Sequence, residues 1–239
     1  MRLSEFRNLV ANMPVSYQAF ASKRSTWEPH ISRDNKAGNA LRSIFGTSDE
    51  VTLSRNDLRI LAAKADLSQF VMATIIWGYP RSMRGNHVAN LIGHLDSLTR
   101  LLSTARAQRI AEWNTHFANV LPIAGIGLST YTKFLNFLSV QVQGRTALIL
   151  DGRIIRIAKQ GIFEELAPLQ KMSNYNANRF YPQYLECVHD LADSLRVSGE
   201  GIEFFLFEFG LYLKPPPAQQ IVPADAAGGS VHAKRALPR

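Results

Sequence analysis

The sequence predicts an all-α protein. Apolar residues recur at three- and four-residue spacing through residues 54–213, Gly- and Pro-containing turns separate the recurring stretches, and no convincing alternating strand pattern is read. Residues 1–53 are polar and mixed, with short helical patterns, and are read as an irregular N-terminal segment packing on the helical body. Ser54 is placed to cap a helix opening Arg55-Asn56-Asp57, in which Leu58, Leu61 and Ala62 share a face. A second helix starts near Asp66 and runs to Trp77, where Gly78-Tyr79-Pro80 ends it. Val88, Leu91, Ile92 and Leu95 mark a third, and a fourth is read over about 104–120. Two helices flank a Gly-rich turn at 125–127, another follows Asp151, and a final pair covers about 181–195 and 198–213. The domain of interest is thus 54–214, and 215–239, with three prolines followed by Ala, Gly, Ser, Lys and Arg, reads as a flexible basic tail.

Composition narrows the function classes. The 239 residues carry 27 basic and 19 acidic side chains, a net charge of +8, which favours a polyanionic partner. The apolar runs Phe70 to Trp77 and Phe204 to Phe209 are far below the roughly 20 residues of a membrane span. Met1 to Arg7 carries charges of both signs and no apolar core, so it does not read as a secretory signal, and a cytoplasmic protein is expected. One cysteine, Cys187, excludes an internal disulfide and a four-cysteine cluster, and the scattered histidines lack metal-ligand spacing. No metal or cofactor is expected.

Two segments carry chemistry. Ile123-Ala124-Gly125-Ile126-Gly127-Leu128-Ser129 is a tight turn into a helix whose amides and dipole suit a phosphate. Ala147 to Leu150 is an apolar run that emerges into Asp151-Gly152 at the start of an amphipathic helix. Asp is a favoured helix cap, and alone it would be read as one.

Together the two segments resemble the helix-hairpin-helix DNA glycosylases, which have a Leu-Pro-Gly-Val-Gly turn, a helix, and an Asp opening the next helix. Leu150-Asp151-Gly152 looks like the adenine glycosylase form, Ala124 stands where the family usually has Pro, and Tyr131 where it often has a small residue. The missing cysteine cluster tilts the resemblance toward 8-oxoguanine glycosylase-like proteins. It implies a two-lobed helical glycosylase-like fold that binds double-stranded DNA as a monomer, flips an altered purine out of the stack and cleaves its N-glycosidic bond. Asp151 would be the central carboxylate. Bifunctional relatives carry Lys where Ser129 stands, so this position resembles the monofunctional adenine glycosylases; Lys133, one turn further along the same helix, is the candidate for a Schiff-base nucleophile, the alternative being a phosphate-binding or solvated lysine. Gly125, Gly127 and Ser129, with Arg84, Asn86 and His87 from the turn after the second helix, are the expected DNA contacts; Trp77, Glu203 and Phe207 are the candidates for the base pocket. Two alternatives stay open: a non-catalytic helix-hairpin-helix DNA-binding subunit, and a glycosylase for modified bases of foreign DNA.

Overall fold

The computed structural model describes residues 1–31, 35–83 and 85–213. The expected tail at 215–239 and the expected DNA contact Arg84 lie outside these residues. The chain is mostly helical, with two small two-stranded antiparallel sheets among the described residues. In order, the elements are α1 (Arg7–Ala11), β1 (Ala19–Lys23), α2 (Lys36–Phe45), β2 (Glu50–Ser54), α3 (Arg55–Ala62), α4 (Ser68–Gly78), α5 (His87–Gly93), α6 (Leu95–Ala107), α7 (Trp113–Ala118) and α8 (Leu128–Phe137). The minimal hairpin β3 (Gln141–Val142) and β4 (Arg145–Thr146) follows, then α9 (Gly152–Gln160), α10 (Ala177–Leu195) and α11 (Gly199–Phe209).

The sheets are where the sequence reading fails. β1 and β2 pair from Ala19 opposite Ser54 to Lys23 opposite Glu50, with α2 inserted between them. Each has five residues; Glu50–Ser54 alternates polar and apolar residues, a short signal that the sequence reading passes over, whereas Ala19–Lys23 carries no such alternation and its partner lies far along the chain. The helix expected over 104–120 is two helices. Its interruption contains no Gly or Pro; instead the Ile110 amide donates to Gln141 O (2.8 Å) and Ile110 O accepts from the Gln143 amide (2.7 Å), so a tertiary pairing takes these groups away from the helix. The stretch read as a third helix through Leu95 likewise divides at His94. The last helix ends at Phe209 rather than 213, and α10 starts a turn before the expected Tyr181. Pro182 thus lies inside α10, where it cannot donate to Asn178 O; Trp113 Nε1 supplies that bond at 2.7 Å.

Ser54 caps α3 through a capping box, its Oγ accepting from the Asp57 amide while Asp57 accepts from the Ser54 amide. At the centre lies α4, whose residues 70–77 are all buried, as an all-round apolar helix requires. It packs against α2, α3, α6, α8 and β1. The two ends of the chain share this core: Leu3, Val10 and Trp27 belong to the same buried cluster as Ile202 and Leu206. Polar contacts tie them as well, with Glu165 accepting from the Leu3 amide (3.0 Å) and Leu195 O accepting from Arg7 Nε (2.7 Å). No helix among the described residues is long and apolar enough to cross a membrane.

Candidate active site

Six elements converge on a cavity of about 190 Å³. Its walls include Lys133 from α8, Asp151 ahead of α9, Glu203 and Phe207 from α11, Trp77 from α4, Arg55 from α3, and Gln18 and Phe20 from the segment leading into β1 and from β1 itself. The five residues that the sequence singled out for catalysis and the base pocket therefore meet in one place. Arg55, Gln18 and Phe20 were not foreseen, because each reaches the cavity through partners far along the chain that no local pattern reveals.

Lys133 is 8% exposed, and its Nζ donates to Ser129 O (3.1 Å) and Ser129 Oγ (2.9 Å). The ammonium also lies 5.8 Å from the centroid of the Tyr79 ring. Burial pulls its proton affinity below the ordinary lysine value, while Asp151 and Glu203 oppose that shift. The bare Cα of Gly78 makes room for the stem, since a Cβ there would stand 3.2 Å from Lys133 Cδ. The side chain thus reaches back one turn, to the level where the resembling family carries its nucleophile.

Asp151 follows Ala147 to Leu150, which are buried and thread the chain through the core. Its Oδ1 accepts from the Arg153 amide (2.9 Å) and the Ile154 amide (3.1 Å), which caps α9. Its Oδ2 has no hydrogen-bond partner among the described residues. One carboxylate oxygen therefore holds the helix while the other is free to face a ligand.

Glu203 is anchored by Arg55. Both of its oxygens accept from Arg55, at 2.8 and 3.1 Å, in a pair 1% exposed on each side. Arg55 Nε donates to Gln18 Oε1 (2.7 Å), and the guanidinium lies over the rings of Trp77 (5.6 Å to the centroid) and Phe204 (5.5 Å). Burial pushes the Glu203 carboxyl up against the opposing pull of Arg55, while Glu203 outweighs desolvation at Arg55 and keeps the guanidinium charged. Phe207 is held from outside by Arg153, whose guanidinium stacks 4.5 Å over the ring and donates to Phe207 O (3.3 Å).

A second cleft, of about 410 Å³, adjoins the first and is lined by Tyr79, Ser82, Met83, His87, Gly125, Gly127, Ser129 and Thr130. Gly125 has φ +90°, and a Cβ there would lie 2.7 Å from His87 O, so the turn can press against α5 only with glycine. Gly127 is exposed, with open space where a side chain would project. The amides of Leu128, Ser129 and Thr130 precede the first intrahelical bond of α8, from the Tyr131 amide to Gly127 O (2.9 Å). Ser129 belongs to this cleft and its hydroxyl to Lys133, so one turn of α8 links the two cavities. Asn86 is exposed at the start of α5 and lines neither. Tyr131 points into the core, against Trp113 and Phe117, with its hydroxyl 2.6 Å from His116 Nε2, so this bulky departure from the family pattern does not enter the cleft.

A family model described as "Putative 8-oxoguanine DNA glycosylase OGG-like protein" matches residues 13–207. The matched span includes every cavity residue, from Gln18 to Phe207. No curated protein and no solved structure matches significantly.

Proposed function

The chain belongs to this 8-oxoguanine DNA glycosylase-like family, and from that premise we propose that it excises an altered purine, 8-oxoguanine foremost, from double-stranded DNA and then cleaves the strand as a lyase. The observation that carries this reading is a buried lysine amine and a half-free carboxylate in one small aromatic-walled cavity. A base inside a duplex is out of reach of such a cavity, so the nucleotide must rotate out of the stack. The α8 amides behind Gly127 and the positive end of the helix dipole would take a backbone phosphate beside it.

In the cavity, Trp77, Phe20 and Phe207 offer apolar surface to the base, and Glu203 keeps lone pairs that can accept from a ring N–H of an oxidised purine. Asp151 stabilises the positive charge that develops on the sugar as the glycosidic bond stretches. Neutral Lys133 attacks C1′ as the bond from C1′ to the base breaks, and the base leaves with that electron pair and one of the two protons on the new ammonium nitrogen. The nitrogen lone pair then opens the ring at C1′–O4′, with a solvent proton taken up by O4′, to give a protonated imine that borohydride reduces; loss of a C2′ proton to solvent and departure of the 3′ phosphate with the C3′–O electron pair cleave the strand. The desolvation that lowers the proton affinity of Lys133 raises the fraction of amine able to attack near neutral pH.

A panel of duplexes carrying single altered purines tests this, with alkali cleavage and borohydride trapping read side by side. The expected result is base release and a covalent adduct with an oxidised purine, the adduct being absent in Lys133→Gln. Alkali-labile sites without any adduct would leave a hydrolytic glycosylase and remove Lys133 from the chemistry. Tight duplex binding with no base released would favour the non-catalytic alternative.

A further inference from the structure

Arg55 and Glu203 form a buried ion pair on the wall of the cavity that also holds the Lys133 amine. Arg55 and Glu203 are bonded twice to each other, and Gln18 continues the chain by accepting from Arg55 and donating to Glu208 Oε1 (3.2 Å). Behind the pair, Glu200 takes two bonds from Arg59 (2.6 and 2.7 Å), so its charge is answered separately. The charged and titratable groups around Lys133 are thus Asp151 ahead of α9, Glu203 on α11, Arg55 on α3 and Tyr79 past the end of α4.

We infer that Arg55 and Glu203 are positioning residues whose opposite charges cancel at Lys133, so that the amine responds to Asp151 and to burial rather than to the wall of its own pocket. This rests on the reading of Lys133 as a functional amine. A lone buried carboxylate at the Glu203 position would hold the lysine as a tight ammonium ion pair and withdraw it from chemistry; a lone arginine would repel its proton. The two act on Lys133 in opposite directions, Glu203 raising and Arg55 lowering its proton affinity. The two hydrogen bonds to Glu203, with the rings of Trp77 and Phe204 beside it, hold the Arg55 guanidinium in a two-point pairing that a lysine could not reproduce.

The test needs no DNA. In protein labelled with ¹³Cε-lysine, the Lys133 resonance is assigned by its loss in Lys133→Met and titrated with pH. Glu203→Gln leaves a permanent Arg55 charge uncancelled, and the Lys133 midpoint is expected to fall by about one pH unit or more. The double variant Arg55→Met/Glu203→Met removes both charges and keeps the volume, a replacement that buried pairs often tolerate, and its midpoint is expected within about half a unit of the parent. A smaller fall in Glu203→Gln, or a larger displacement in the double variant, would overturn the inference. Should Glu203→Gln fail to fold, the double variant decides alone by the same half-unit criterion. Because trapping on DNA is not read, a parent that never forms an adduct would sink the nucleophile and leave this result standing.

Discussion

Lys133 shows how burial turns a common side chain into a special one. Its side chain is buried beside a small cavity, with two acceptors from Ser129 for its amine. Because its folded-state proton affinity lies below the ordinary 10.5, the unfolded chain holds the proton more tightly. The penalty is therefore fully present below the folded value and is lifted as pH rises from there toward 10.5, so stability gains with pH across that window. Lys133→Met lacks the penalty. Urea unfolding at about pH 7 and about pH 10 is expected to show the variant's advantage over the parent shrinking at the higher pH. An advantage that grows with pH would mean that the fold stabilises the ammonium, the reverse of what burial imposes.

Among the elements, the turn into α8 separates two glycines that look equivalent in sequence. Gly125 is required by its positive φ and by the approach of His87 O, whereas Gly127 has an ordinary extended backbone and open space. Gly125→Ala is expected to cost about 1–3 kcal/mol in chemical denaturation, and Gly127→Ala to stay within about 0.5 kcal/mol. Gly127→Glu is expected to fold but to weaken binding to every duplex, with a shallower salt dependence, because its carboxylate would stand where a phosphate approaches. Equal losses of stability at the two alanine variants would contradict the geometry; unchanged binding by the glutamate variant would take the turn out of the DNA interface. Elements of this kind were legible because their causes are local: the Ser54 cap, the Asp151 cap and the glycine turn each lie within a few residues. The break at Ile110, the β1–β2 pairing and the bonds from Arg55 to Gln18 and Glu203 were not, because each depends on a partner far along the chain.

At the scale of the whole molecule, the cavity exists because the first and last parts of the chain close on the middle. Gln18 and Phe20 come from the N-terminal segment and Glu203 and Phe207 from the last helix, and both are fastened to α3, α4 and α8 by the shared core. The apolar periodicity of the middle helices reveals that a core forms; it does not reveal which distant residues line a hole in it. Asp151 is the central assignment, its two oxygens having different tasks. Asparagine can keep the cap of α9 with its side-chain oxygen, so Asp151→Asn separates the charge from the fold. Single-turnover base release and duplex affinity, measured together on Asp151→Asn and the parent, are the most direct test. Excision is expected to fall by at least about a hundredfold, with affinity unchanged or tighter, because the role proposed for the carboxylate is exerted as charge builds at the sugar. Release at nearly the parental rate by a folded Asp151→Asn protein would contradict the assignment of this cavity as the active site.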